Sequence, residues 1–132
     1  MKAIQIHQYG SADQFQIADT PLPSIKDHEL LIKVHAAGVN PIDWKVREGL
    51  YKEVMPFKMP LVVGWDVAGT VEKVGAKVSS FKVGDEVYGM LNFPGLGACY
   101  AEYVVANPDH IWFKPKSFSM FEAAATPVAS LT

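Results

Sequence analysis

The sequence predicts a mainly β (α+β) fold, a small β-barrel or sandwich that carries a few short helices. Several short runs with strand-like patterns are separated by turns and loops that contain glycine or proline. Helix-start signals occur only in one internal stretch and near the C-terminal end. With 132 residues, 49% of them hydrophobic and 20% charged, the chain is long enough for one domain with a sizeable core.

The first third of the chain predicts three strands. Residues 1–7 alternate apolar and polar side chains, which is typical of a half-buried strand. Residues 15–18 can return beside them, and Pro21 and Pro23 then mark a loop. Residues 29–39 form a strongly apolar run that predicts the first long strand.

A short helix is predicted directly after this strand. Asn40 is a good N-cap residue, Pro41 suits the first helical turn, and Gly49 suits the C-terminal end. The stretch gathers polar side chains at one strand end: Asn40, Asp43, Lys45 and Arg47. Such a position is where small-molecule chemistry is usually found.

The second half predicts further strands and then helices. The strands are predicted at 61–74, 86–90, 99–106 and 111–114. Gly64 and Gly69 suggest bulges or close backbone approach within the first of them. Ser119 and Glu122 have the spacing of a capping box that opens a helix, and the Thr126-Pro127 pair can start another.

Composition excludes several classes of partner. The net charge of −2 gives no reason to expect nucleic acid or an anionic membrane, and no apolar run approaches the roughly 20 residues that span a bilayer. A single cysteine, Cys99, excludes an internal disulfide and a multi-cysteine zinc site, and it is expected to be a small buried hydrophobe. The N-terminus has no signal-peptide core, so the predicted location is cytoplasmic.

Four stretches together carry a resemblance to a known family. They are G-V-N-P-I-D-W-K-V-R-E-G-L-Y from Gly38, P-L-V-V-G-W-D-V-A-G-T-V-E-K-V-G from Pro60, F-K-V-G-D-E-V-Y-G from Phe81 and G-A-C-Y-A-E-Y-V-V from Gly97. The chain resembles the N-terminal, GroES-like domain of the medium-chain dehydrogenase/reductase superfamily, in its zinc-independent quinone oxidoreductase branch. The resemblance implies a GroES-like, partly open β-barrel over residues 1–125.

The resemblance also implies a second domain outside this sequence. Residues 126–132 would begin the helix that links to a Rossmann domain, which in the family binds NADPH. The phosphate-binding glycine fingerprint of that domain is not found, because the Gly95-Leu96-Gly97 segment lacks the third glycine and precedes a strand. The chain alone is therefore expected to be inactive.

The resemblance implies chemistry without zinc. Zinc-dependent relatives have cysteine, histidine and glutamate where this chain has Asn40, Trp65 and Asp66, and neither Asn nor Trp is a zinc ligand. Without a metal Lewis acid, the favoured acceptor is a quinone or an α,β-unsaturated carbonyl, which spreads the incoming negative charge over conjugated atoms. The implied activity is NADPH-dependent hydride transfer to such a compound.

Candidate site residues follow from matching positions. The catalytic candidates are Asn40, Asp43, Lys45 and Tyr51; the cofactor-binding candidates are Asn40, Lys45 and Thr126; the substrate-pocket candidates are Trp44, Tyr51, Phe57, Trp65, Met90 and Phe93. Each has a structural alternative, namely helix capping for Asn40, Asp43 and Thr126, solvation for Lys45, a position outside the pocket for Trp44, and core packing for Tyr51, Phe57, Trp65, Met90 and Phe93. No metal ligand is predicted.

Two other functions stay open, a non-catalytic GroES-like binding module and an inactive fragment. The expected partner is a small-molecule quinone or enone. Self-association or a homo-oligomer is also expected, because the surface that includes Phe121, Ala124 and Val128 should expose apolar area.

Overall fold

Seven β-strands and three short α-helices make up the fold, in a computed structural model that describes all 132 residues. In chain order they are β1 Lys2–Gln5, β2 Gln16–Asp19, β3 Leu30–Ala37, α1 Pro41–Arg47, β4 Asp66–Val74, β5 Glu86–Met90, β6 Tyr103–Ala106, β7 Ile111–Phe113, α2 Met120–Ala124 and α3 Pro127–Leu131, with 3-10 turns at Ala12–Gln14 and Pro108–His110. None of the helices has the length and apolar character needed to cross a bilayer.

The strands form two antiparallel sheets that do not close into a barrel. The larger sheet has five strands in the order β6-β3-β4-β5-β7, and the smaller one pairs β1 with β2. Two isolated bridges, Ala3 with Ala101 and Ile6 with Leu61, tie β1 to the rest of the chain. The prediction of a mainly β fold with a few short helices is confirmed, and the predicted barrel stays open.

The core consists of three clusters. The largest lies on one face of the five-stranded sheet and contains Leu30, Ile32, Val67 and Val87. Cys99 belongs to it and is fully buried, as predicted.

The two smaller clusters hold the helices against the sheet. Trp65 and Val46 belong to the second, which lies under α1. Ala123 and Ala124 of α2 pack on Ala68 of β4 in the third. The helices are therefore fixed at one end of the sheet.

Two predicted strands begin several residues later than the sequence indicated. The strand predicted at 61–74 begins only at Asp66, because Gly64 has a φ of 98° and turns the backbone away from the extended conformation. The strand predicted at 99–106 begins only at Tyr103. Ala98 has a φ of 57°, and the N–H of Cys99 donates to the Gly64 carbonyl, so this segment turns to meet Gly64 before joining the sheet.

Candidate functional site

A cavity of about 390 Å³ lies between α1, α3, the end of β5 and the loop that follows it. Its walls are mostly apolar, and they are formed by Ile42, Lys45, Tyr51, Met90, Phe93, Val128, Leu131 and Thr132. The lysine ammonium, the tyrosine hydroxyl and the threonine hydroxyl are the polar groups of this lining. An apolar cavity with a few polar groups has the character of a small-molecule site.

The start of α1 places two lining side chains in the cavity. Asn40 is the N-cap residue, and its backbone N–H donates to the Asp43 carboxylate at 2.7 Å. Ile42 and Lys45 are three residues apart, so they share one face of the helix, and both line the cavity. Tyr51 follows in the turn after the helix.

A buried polar network lies beside the cavity. The Asn40 side-chain Nδ2 donates to Asp66 Oδ2 at 2.9 Å. The backbone N–H of Val128 in α3 lies 3.1 Å from each oxygen of the same carboxylate. The hydroxyl of Tyr100 donates to Asp43 Oδ2 at 2.8 Å. Asp43 and Asp66 are only 2% and 0% exposed, whereas their partners are partly exposed, so two buried carboxylates join α1, the start of β4 and α3.

Burial dominates the electrostatics of this network. It raises the pKa of both Asp43 and Asp66, and the hydrogen bonds from Asn40 and Val128 only partly oppose that effect. Burial, followed by the neighbouring Asp43 carboxylate, raises the pKa of Tyr100 well above its ordinary value. One oxygen of Asp43, Oδ1, is buried without a hydrogen-bond partner. Burial also raises the pKa of the Cys99 thiol well above its ordinary value, which makes this cysteine a poor nucleophile.

Trp65 and Phe57, predicted to line the pocket, lie behind its wall. Trp65 is completely buried, and its indole Nε1 donates to the Gly95 carbonyl at 2.7 Å. Its ring is edge-on to Phe93 and tilted against Phe57, with centroid distances of 6.2 and 6.3 Å. Trp65 therefore supports the lining residue Phe93 from behind, and Phe57 packs on Trp65.

Three further predicted residues lie outside the cavity. Trp44 is 42% exposed, and its ring centroid lies 5.7 Å from the Lys45 ammonium. The Thr126 hydroxyl donates to the Glu122 carbonyl at 2.7 Å, and Thr126 borders a separate surface recess. Arg47 hydrogen-bonds to the Gly10 carbonyl. Four predicted residues do line the cavity: Lys45, Tyr51, Met90 and Phe93.

The prediction of an exposed apolar surface at the C-terminal end is wrong in part. Phe121 is 78% exposed, as expected for such a surface. Ala124 is buried against Ala68 of β4 because α2 packs on the sheet, and Val128 faces the cavity.

Several site residues were not among the sequence candidates. Ile42, Val128, Leu131 and Thr132 line the cavity, and Asp66 and Tyr100 build the network. Asp66 did carry a signal, since a carboxylate inside the apolar run L-V-V-G-W-D-V-A-G predicts a buried and satisfied charge. No three His, Cys, Asp or Glu side chains lie close enough together to hold a metal ion.

The mainly antiparallel fold and the position of the helices define the class. This is a GroES-like domain, of the kind found at the N-terminal end of medium-chain dehydrogenases/reductases. The chain belongs to the alcohol dehydrogenase GroES-like domain family, whose model matches residues 26–116.

Proteins similar to this chain include quinone oxidoreductases. The chain is 41% identical over 133 residues to the chloroplastic quinone-oxidoreductase homolog of Spinacia oleracea, covering 100% of this chain and 40% of the relative. It is 42% identical over 135 residues to the 2-methylene-furan-3-one reductase of Solanum lycopersicum, covering 98% of this chain and 34% of that protein. The chain thus spans about 40% of the length of the spinach relative.

Similar solved structures also include quinone oxidoreductases. The quinone oxidoreductase from Coxiella burnetii superposes with a TM-score of 0.95 at 42% identity, over 100% of this chain and 42% of that one. The Escherichia coli quinone oxidoreductase complexed with NADPH superposes with a TM-score of 0.85 at 30% identity, over 96% of this chain and 37% of that one.

Proposed function

We propose that this chain is the substrate-side domain of an NADPH-dependent oxidoreductase that reduces quinones or α,β-unsaturated carbonyls by hydride transfer without zinc. The observation that carries the proposal is the apolar cavity that bears Lys45 and Tyr51. The names of the relatives support the substrate class, because the spinach and Coxiella proteins are called quinone oxidoreductases. The tomato protein is called a reductase of a methylene-furanone, in which an alkene is conjugated to a ketone.

The proposal divides the work between two domains. Residues 1–125 would form the substrate-side domain, and 126–132 would begin the connection to a Rossmann domain. That division is consistent with the longer relatives and with the NADPH complex of the E. coli protein. When bound, the dinucleotide supplies the hydride, and we expect no turnover from the 132-residue chain alone.

The cavity suits a flat, uncharged ring with a carbonyl group. Apolar walls at Ile42, Met90 and Phe93 favour an aromatic or conjugated ring and exclude water. Of the predicted cofactor-binding residues, Lys45 is the one that lines this cavity, whereas Asn40 lies in the adjoining network and Thr126 outside it. We therefore assign the carbonyl-facing role to Lys45.

Hydrogen-bond donors take the place of a Lewis acid in this proposal. The Lys45 ammonium and the Tyr51 hydroxyl would donate to the acceptor carbonyl oxygen, where negative charge develops. Tyr51 or a water molecule would supply the proton that completes the reduction. A zinc ion does not fit the local residues, because Asn40 and Trp65 offer no suitable donor and the Asp66 carboxylate already accepts hydrogen bonds from two groups.

A chimaeric enzyme tests the proposal. The chain would be joined to the dinucleotide-binding part of the Coxiella relative, and NADPH oxidation would be followed with duroquinone and with a cyclic enone. We expect turnover that a chelator leaves unchanged. Lys45→Met should lower kcat/KM by about 100-fold, the usual cost of removing a donor to a developing oxyanion.

Two matched variants sharpen the comparison. Lys52→Met removes an exposed lysine outside the cavity and should leave the rate unchanged. Tyr51→Phe should reduce the rate while keeping the ring that forms part of the wall. A folded chimaera that binds NADPH yet oxidises it with neither acceptor would contradict the proposed function.

A further inference from the structure

Two neighbouring residues hold opposite walls of the cavity. The Trp65 indole donates to the Gly95 carbonyl, which fixes the loop that carries the lining residue Phe93. The next residue, Asp66, accepts from the backbone N–H of Val128, which lies in α3 and also lines the cavity. The start of β4 is therefore the common support of both walls.

Of these two residues, Asp66 connects parts of the chain that are further apart in sequence. Its carboxylate joins Asn40, which is 26 residues away, to Val128, which is 62 residues away. Both contacts are made by a side chain that is 0% exposed, which limits competition from water at the carboxylate. Hydrogen bonds to an ionised group in such surroundings are stronger than those between neutral partners.

We propose that Asp66 is a positioning residue, which sets the place of the α3 wall and of the Asn40 side chain together through one carboxylate. The effect of this positioning on substrate affinity rests on the proposed function. The link itself is a property of this chain and can be measured without any substrate.

An amide can keep only part of these contacts. Val128 N lies 3.1 Å from each of the two Asp66 oxygens. In Asp66→Asn, one of the two positions becomes an NH₂ group whichever way the amide is turned. The Val128 N–H then has one acceptor instead of two and lies beside an amide donor, and the negative charge is lost, so the link to α3 is weakened.

Asp43 offers a matched comparison. It is also a buried aspartate with hydrogen bonds to Asn40 and to a second residue, but that residue is Tyr100 and not part of α3. Asp43→Asn therefore removes the same charge from the same network without touching the α3 link.

Amide hydrogen exchange of the 132-residue chain, resolved by NMR, tests the link. Asp66→Asn should speed exchange at Val128 by about 10- to 100-fold, the range expected for losing a charged hydrogen bond. Asp43→Asn should leave exchange at Val128 unchanged, and Asp66→Glu should restore part of the protection. In the unmutated chain, a scalar coupling across the hydrogen bond should connect Val128 N to the Asp66 carboxyl carbon.

The same samples test the consequence for the site. Titration with duroquinone should shift the resonances of Lys45, Tyr51 and Val128, and the apparent affinity should fall about tenfold in Asp66→Asn. Equal Val128 exchange in Asp66→Asn and in the unmutated chain would overturn the proposal. If Asp66→Asn fails to fold, absence of the coupling in the unmutated chain would overturn it instead.

The two proposals fail in different ways. If duroquinone shifts no resonance while Val128 exchange responds to Asp66→Asn, the substrate class is wrong and the positioning role stands. If duroquinone binds the unmutated chain while Val128 exchange is the same in that chain and in Asp66→Asn, the positioning role is wrong and the substrate class stands.

Discussion

Replacing Gly38 by alanine should damage the junction that supports the cavity. Gly38 is buried where β3 ends, and its N–H donates to the Asp66 carbonyl at 3.1 Å. An added Cβ would collide with the carbonyl oxygen of Ala124 at the end of α2 and would lie 2.7 Å from Asp66 Cβ. A backbone atom cannot move aside as a flexible side chain can, so either α2 or the Asp66 network must shift.

The size of the effect follows from these contacts. Overpacking costs about 1–3 kcal/mol, and disturbing the hydrogen bonds of a buried charge adds about 1.5–3 kcal/mol. We expect Gly38→Ala to lower the free energy of unfolding by about 2.5–6 kcal/mol, the sum of the two costs. With an m-value of about 2 kcal/mol/M, the urea midpoint should fall by about 1.2–3 M.

Gly84→Ala is the control for this measurement. Gly84 has a φ of 94° and no atom within 4 Å of an added Cβ, so only backbone conformation is penalised there. That cost is roughly 1–2 kcal/mol, which corresponds to a midpoint shift of about 0.5–1 M. If urea unfolding followed by circular dichroism showed Gly38→Ala to be no less stable than Gly84→Ala, the steric argument would be refuted.

Two further predictions concern pH and association. Burial raises the pKa of Asp43, so the folded chain binds a proton at this carboxylate more readily than the unfolded chain does. The stability that comes from binding this proton is lost as the pH rises through the raised pKa. Urea midpoints should therefore show the unmutated chain gaining stability relative to Asp43→Asn as the pH is lowered from about 7 to about 4. The hydrogen bond from Lys2 lowers the pKa of Asp19, so the unmutated chain should instead lose stability relative to Asp19→Asn as the pH is lowered. In sedimentation velocity, Phe121→Ser should weaken self-association of the chain, because Phe121 lies exposed on the C-terminal surface that is expected to associate. Ile17→Ser is the control, since Ile17 is equally exposed, at 77% against 78%, but lies on β2 away from that surface, and it should leave association unchanged. A monomeric unmutated chain at high concentration would contradict the association.

Local signals predicted the helices well. α1 begins at Pro41 after the N-cap Asn40, and α2 begins after Ser119, which accepts from the Glu122 N–H as the capping box predicted. These features involve residues three or four positions apart, so the sequence alone contains both partners. The strand at Glu86–Met90 was predicted with its observed bounds for a similar reason, since it lies between two glycine-containing turns.

The site was harder to predict because its parts are distant in the chain. The family resemblance predicts Lys45 and Tyr51 as site residues, and both line the cavity. It also predicts Trp65 as a lining residue, but Trp65 is buried behind the cavity wall. Whether a buried aromatic residue faces a cavity or supports its wall depends on packing, which sequence position does not reveal. The catalytic roles, the cofactor preference and the cytoplasmic location stay predictions.

The amino-acid sequence by itself determined the mainly β fold, the helix starts and the family to which the chain belongs. Only the tertiary structure decided that Asp66 joins Asn40 to Val128 and that α3 closes one side of the cavity. The physical reason is that a carboxylate can accept from any donor the fold brings to it. Which donors those are depends on how distant segments pack, and no local pattern in the chain records it.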